Sequence, residues 1–305
     1  MPKAGVAQFT GSTSWEENIA AVRRLTARAA ETGVNLLCFH ELANTIYVPF
    51  VEDAAFFVLA EAESGGSVAA AGAIARQHEM VMVYPFFEKD GNDFYNSAIV
   101  FGPRGEKLAK YRKHTVPSSR LFEGATERYY FRPGDLGFPV VATPFGVRLG
   151  LIICYDRNLP EPARCAALNG AELLFVPVTT TQRARSRWEL LLRARAVQNL
   201  MFVAAANRVG KDKGGAPDEA YFGESLIVNP CGEIIGHGSA SQEDLVVAEL
   251  DLDLLKDQRK SWLFFDDRRP DEYKALVKPV LTDGSPARHD IENDIENEIE
   301  ISPVS

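Results

Sequence analysis

Residues 147–160 read Val147-Arg148-Leu149-Gly150-Leu151-Ile152-Ile153-Cys154-Tyr155-Asp156-Arg157-Asn158-Leu159-Pro160. The run to Ile153 has the composition of a buried strand and ends at a cysteine. A short polar turn then leads to Pro160, which suits a first helical position, and to Glu161, which suits a helix N-terminus. The order is strand, sharp turn, helix, with a thiol at the turn. A cysteine held there faces unpaired backbone N–H groups and the positive end of a helix, both of which favour thiolate, as at a nucleophile elbow. The plain alternative is a small core residue, which is what cysteine ordinarily is.

The same alternation extends in both directions. Strand-length runs rich in Val, Ile, Leu and Phe fall at Gly5 to Phe9, Val34 to Phe39, Val81 to Phe87, Leu173 to Val178 and Phe202 to Ala206. Helical periodicity falls between several of them, at Trp15 to Ala30, Val68 to His78, Pro160 to Asn169 and Arg183 to Asn199. That is the pattern of an α/β protein with buried strands. Two hairpins lie on top of it. Ser97 to Phe101 and Lys107 to Tyr111 flank Gly102-Pro103-Arg104-Gly105, and Leu226 to Gly236 folds back around Asn229-Pro230-Cys231-Gly232. Mixed sheets follow. The 305 residues, 46% of them apolar, contain no composition break or Gly/Ser/Pro-rich linker, so one large domain is expected. No repeat of fixed period is present.

Charge narrows the function classes. Against 33 Lys and Arg stand 42 Asp and Glu, a net charge of −9, so a basic nucleic-acid face is not expected. The apolar run Ala4 to Phe9 is too short for a secretory core and no stretch reaches membrane-spanning length, which predicts a soluble, cytoplasmic protein without a membrane partner. Cys38, Cys154, Cys165 and Cys231 form no C-x-x-C pair, so no metal site or disulfide is predicted. From Asp290 to Glu300 the chain carries only acidic charge, with Ile291, Ile295 and Ile299 at i, i+4 spacing. It reads as a solvated acidic tail, or alternatively as a short amphipathic segment that docks on the body or on a second copy.

A nucleophile needs a base, and none of His40, His78, His114, His237 and His289 is singled out by spacing. Glu41 follows the run Val34 to Phe39 and His40, which places a carboxylate at a strand end, where it could pass protons near neutrality. Lys113 closes the second hairpin strand in Tyr111-Arg112-Lys113, where an ammonium can hold an oxyanion at short range. Taken singly, each also reads as an ordinary surface charge. Thr179, Thr180 and Thr181 read as the end of a strand, or alternatively as substrate-binding residues.

Together these blocks resemble the nitrilase superfamily of carbon-nitrogen hydrolases, from Val6-Ala7-Gln8 to about Asp253. Phe39-His40-Glu41-Leu42 is similar to the family's glutamate block, Lys110-Tyr111-Arg112-Lys113 to its lysine block and Gly150 to Asp156 to its cysteine block, in the family's order. Asn96-Ser97-Ala98, Arg132-Pro133-Gly134-Asp135, Arg193-Ala194-Arg195-Ala196, Ala205-Ala206-Asn207-Arg208 and Phe222-Gly223-Glu224-Ser225 extend the agreement. The resemblance implies a four-layer α-β-β-α sandwich over residues 1–280 followed by a tail at 281–305, no metal or organic cofactor, and a homodimer or larger assembly. It also implies a catalytic set of Glu41, Lys113 and Cys154, with Glu127 as a second glutamate orienting the lysine and the substrate. Lys113 and the Tyr155 N–H would hold the oxyanion, and Arg157 and Asn158 would meet the substrate.

Tyr155-Asp156 and the stretch Pro117 to Val140 look most like the N-carbamoyl-amino-acid amidohydrolase and N-carbamoylputrescine amidase branches. The implied substrate is therefore a small N-carbamoyl compound, with a general aliphatic amidase, a nitrilase or a non-catalytic binding module as alternatives. The chain departs from the family's pattern in four places. His40 stands where proline commonly precedes the glutamate, and Thr115 where a histidine is common. Gln198-Asn199 replaces Glu-Asn, turning an ion pair with Arg193 or Arg195 into a neutral contact. Arg157 lacks a second adjacent arginine, so a two-arginine carboxylate clamp is excluded.

Overall fold

The computed structural model describes residues 1–117, 126–216 and 220–278. The acidic segment Asp290 to Glu300 and the expected boundary at residue 280 lie outside them.

The first half of the chain builds one sheet. Strand β1 (Lys3–Gln8) leads through helix α1 (Trp15–Glu31) to β2 (Leu36–Phe39), then through α2 (Gly66–Gln77) to β3 (Val81–Asp90), and the hairpin strands β4 (Asp93–Phe101) and β5 (Lys107–Arg112) follow. Helix α1 starts where Ser14 caps it by accepting from the Glu17 N–H, with Glu16 and Glu17 in the first turn and Arg28 in the last, each charge matched to the helix dipole. After the four-residue helix α3 (Glu127–Tyr130), the second half repeats the plan: β6 (Val140–Ala142), β7 (Arg148–Leu151), α4 (Pro160–Leu168), β8 (Leu173–Pro177), α5 (Arg185–Asn199) and β9 (Phe202–Ala206). A ribbon of β10 (Val209–Gly210) and β11 (Tyr221–Phe222) precedes β12 (Leu226–Val228), β13 (Ile234–His237), β14 (Asp244–Glu249) and α6 (Leu252–Ser261).

Two six-stranded sheets result, in the orders β14-β1-β2-β3-β4-β5 and β13-β12-β9-β8-β7-β6. Each has three parallel strands, β1-β2-β3 or β7-β8-β9, extended by antiparallel neighbours. The parallel strands pack back to back, β1 and β2 against β8 and β9, while α1 and α2 cover the outer face of one sheet and α4 and α5 that of the other. This is the expected α-β-β-α sandwich of mixed sheets. With both faces covered, β2, β8 and β9 are buried at every position, which is why their sequences read as unbroken apolar runs. Both sheets and α1 to α6 belong to one compact unit, Met1–Phe264; the described part of a second unit, from Phe265, holds only short 3-10 turns at Pro270–Glu272 and Lys274–Val277. No described helix is long and apolar enough to cross a membrane.

Element bounds differ from the sequence reading by a few residues, with one informative exception. The strand expected to run from Val147 to Cys154 ends at Leu151. The Ile152 N–H still reaches the Phe175 carbonyl at 3.2 Å, but Ile153 already donates to the Asp156 carboxylate at 3.0 Å. The chain has left the sheet before the cysteine, and Cys154 opens a 3-10 turn, Cys154–Asn158, ahead of α4.

Candidate active site

Three strand ends deliver the site. Cys154 follows β7, Glu41 follows β2 and Lys113 follows β5, so the first lies on one sheet and the other two on its partner. Cys154 adopts φ +45°, and Leu42, next to Glu41, adopts φ +51°. Left-handed backbone at non-glycine residues costs energy and persists where surrounding contacts hold it, commonly at functional sites. Asp156 holds the cysteine turn: its carboxylate accepts from the Ile153 N–H, the Tyr111 hydroxyl at 2.7 Å and the Thr115 N–H at 2.8 Å. The strand that carries the lysine is thereby tied to the turn that carries the thiol. Gly134 donates to the Lys113 carbonyl at 2.8 Å, and a Cβ there would overlap the Arg112 carbonyl. Only glycine allows that approach.

The charged groups form a buried chain. Lys113 Nζ lies 3.0 Å from Glu41 Oε1 and 2.5 Å from Glu127 Oε2, and none of the three side chains is more than 3% exposed. Glu41 accepts further from Asn96 Nδ2 at 2.7 Å and from the Thr179 N–H at 2.9 Å, and Glu127 accepts from the Tyr47 hydroxyl at 2.9 Å. Burial disfavours the Lys113 ammonium, but the Glu127 and Glu41 carboxylates outweigh it and hold the lysine's pKa well above its ordinary value. Burial also drives Glu127 up to about 7, against the pull of Lys113, with Glu41 adding to the rise. Two carboxylates thus share one cation in a dry site, and one of them titrates near neutrality.

The thiol departs from expectation. Cys154 is buried, and burial, followed by the charge of Glu41, pushes its pKa well up, with Lys113 and Arg157 pulling the other way. The turn's N–H groups do not make a resting thiolate; desolvation wins. Sulfur here needs a base that removes its proton as it reacts. The thiol is directed at the Thr179 carbonyl, 3.7 Å away. Tyr155 lies in the first turn after the cysteine, where backbone N–H groups have no intrahelical acceptor.

Arg157 is buried beside the sulfur, with Nη1 2.8 Å from the Cys154 carbonyl oxygen and 3.4 Å from Sγ. Among the described residues its Nε has no hydrogen-bond partner. Asn158 is half-buried and turns its amide onto the Tyr155 carbonyl at 3.2 Å. His40 is fully buried; burial and the neighbouring Arg208 hold its pKa well below the ordinary value, so it is a neutral ring, packed at a tilt with its centroid 4.1 Å from that of Phe9 and bonded through Nδ1 to the Glu41 carbonyl. Gln198 accepts from Arg195 at 3.1 Å, the neutral contact expected of the Glu-to-Gln change. Among the described residues no cluster of His, Cys, Asp and Glu is arranged to hold a metal ion.

Several groups around Glu41 have no role in the sequence reading. Asn96 and Arg208 enter it only as parts of matching blocks. The Thr179 N–H on Glu41 makes that residue more than a strand end. Tyr47 and Asp212 carry no sequence signal at all.

Residues 3–260 match the carbon-nitrogen hydrolase family. The chain belongs to that family. It is 34% identical over 282 residues to an N-carbamoylputrescine amidase of Arabidopsis thaliana, covering 88% of this chain and 93% of that one. A citrullinase of Francisella tularensis is 30% identical over 284 residues, 90% of this chain and 98% of its own. Among solved structures, a carbon-nitrogen hydrolase from Helicobacter pylori superposes with a TM-score of 0.85 at 33% identity, over 92% of this chain and 99% of that one. This carbon-nitrogen hydrolase is thus an enzyme acting on amide-type C–N bonds.

Proposed function

We propose that this hydrolase cleaves N-carbamoyl amino compounds through a thioester on Cys154. One observation carries the reading: a lysine shared by two buried carboxylates lies within electrostatic reach of a buried thiol on the facing sheet. The names of the plant and bacterial relatives supply the substrate class. Glu41 takes the thiol proton as sulfur attacks the carbamoyl carbon. The charge that develops on oxygen is held by the Lys113 ammonium and the Tyr155 N–H, in a site whose dryness strengthens both. Collapse of the adduct breaks a C–N bond and expels ammonia or the amine, which takes its proton back from Glu41. Water deprotonated by Glu41 then cleaves the thioester, and the carbamic acid released breaks down to carbon dioxide and the remaining nitrogen product. Glu127 orients Lys113. Arg157, whose Nη1 lies 3.4 Å from the nucleophilic sulfur, and Asn158 serve the polar end of the substrate. The same reading takes the working particle to be a homodimer or larger, which sedimentation at micromolar concentration tests.

The deciding experiment measures ammonia release from N-carbamoylputrescine, citrulline, N-carbamoyl-β-alanine, N-carbamoyl-D- and L-amino acids, simple amides and nitriles, with Cys154→Ala in parallel. Turnover of a carbamoyl compound that disappears in the variant supports the proposal. Activity confined to amides or nitriles overturns the substrate class, and ammonia release that survives in Cys154→Ala overturns the nucleophile.

A further inference from the structure

Arg208 is a fully buried arginine that takes no direct part in the steps above. It leaves β9, on the sheet that carries Cys154, and its guanidinium reaches across to the loop that carries Glu41. Nη2 donates to the Glu41 and Leu42 carbonyls, both at 2.9 Å, and Nη1 to the Thr45 carbonyl at 3.0 Å. Nε lies 3.3 Å from Thr179 Oγ1. Its charge is met by Asp212, both of whose carboxylate oxygens lie 2.8 Å from Nη1. Asp212 in turn accepts from the Gly11 N–H at 2.9 Å and the Tyr47 N–H at 2.8 Å.

These bonds close a ring. From the Glu41 carboxylate the path runs through Lys113 and Glu127 to the Tyr47 hydroxyl, through the Tyr47 backbone to Asp212, and through Arg208 back to the Glu41 carbonyl. The two halves of the ring do different things. Lys113 and Asn96, both on the sheet of Glu41, hold its carboxylate within that sheet. Arg208 and the Thr179 N–H belong to the opposite sheet, the one that bears the nucleophile. The strained turn at Leu42 exposes consecutive carbonyls that a buried site must satisfy, and a planar fork with several donors can serve them at once where a lysine cannot.

We infer that the Arg208–Asp212 pair is a positioning device that holds the general base in register with the nucleophile across the two sheets. The inference rests on Glu41 being the group that deprotonates Cys154. Proton transfer tolerates little misplacement, and an error of ~1 Å remote from the chemistry costs about 10²-fold in rate. Loss of the pair therefore acts on kcat rather than on KM.

The test uses Arg208→Lys, which keeps the charge and loses the fork, and Asp212→Asn, which keeps the shape and loses the charge. Leu25→Ala, a core truncation in α1, serves as a control for lost stability alone. Rates are compared well below each variant's denaturation midpoint, on whichever compound the unaltered enzyme turns over. The expected result is a fall in kcat of about 10²-fold in Arg208→Lys and a smaller fall in Asp212→Asn, with KM little changed and kcat retained in Leu25→Ala. Alkylation by iodoacetamide, read at Cys154 by peptide mass, should slow in the same order. That reaction needs no substrate, so it still tests the pair if the carbamoyl reading fails. Unchanged kcat and alkylation in both variants, with only the denaturation midpoint lowered, overturns the inference, as does a rise in KM at constant kcat.

Discussion

Arg112 and Lys113 are adjacent in sequence, and each gathers carboxylates, with opposite results. Arg112 grips Glu88 through Nε and Nη2, both at 2.9 Å, and reaches Asp90 at 2.6 Å and Asp135 at 3.1 Å. Lys110 adds a second cation on Glu88 at 2.6 Å. Asp90 and Asp135 are 63% and 59% exposed, so solvent carries part of their charge. Burial opposes ionisation of Glu88, but the hydrogen bonds from Arg112, Lys110 and Ser97 win and hold its pKa down at about 2. One residue on, Lys113 alone faces two carboxylates, all three buried, and Glu127 rises to about 7. The same residue types make a permanent ionic brace where one buried carboxylate, Glu88, is met by two cations and the remaining carboxylates are exposed to solvent. They raise a carboxylate's pKa toward neutrality where two buried carboxylates share one buried lysine.

The comparison is sharpest at the cations. Lys113→Met should cost at least about 10³-fold in turnover, because it removes the oxyanion's ammonium and strands two buried carboxylates. Arg112→Met should cost ~3–5 kcal/mol of stability by leaving Glu88 without its main partner, while kcat, measured on the folded fraction, falls far less. Equal losses of turnover in the two variants would break the distinction.

Glu127→Gln comes next, with kcat lowered about 10²-fold as Lys113 loses its orienting charge. Stability separates it from Glu88→Gln by the sign of the pH effect. Glu127 holds its proton to about 7 when folded, against an ordinary value of 4.5. Its contribution is therefore present in full below about 4.5 and is lost as pH rises through 7. Glu88 titrates near 2 when folded against the same ordinary value, so its contribution is present above about 4.5 and is lost as pH falls toward 2. Denaturation midpoints across pH 3 to 8 should show Glu127→Gln flattening the decline on the neutral side and Glu88→Gln flattening the acid side. Both variants flattening the same side would refute the contrast. The smallest effect is expected at the wet rim, where Asp135→Asn should change stability by less than about 1 kcal/mol and leave kcat unchanged, by denaturant titration and assay.

Much of the fold was legible because its rules are local. The parallel strands are buried on both faces and read as apolar runs, and Ser14, Glu16 and Glu17 mark a helix start within a few residues of chain. The three site blocks were legible for the same reason, since each is a strand end with a chemical residue attached. The protonation state of the thiol was not. Cys154 was expected to gain thiolate character from the turn that follows it, and local sequence supports that expectation. Desolvation by residues distant in the chain reverses it.

Sequence by itself determined which elements form, that Glu41, Lys113 and Cys154 each stand at a strand end, and which family the chain belongs to. Tertiary structure alone decided that Glu41, Tyr47, Lys113, Glu127, Arg208 and Asp212 share one hydrogen-bonded ring, and that the surroundings raise the pKa of Glu127 and lower that of Glu88. The physical reason is range. Propensity and capping act over a few residues along the chain, whereas a side chain's electrostatic energy depends on what burial and distant segments bring within a few ångströms.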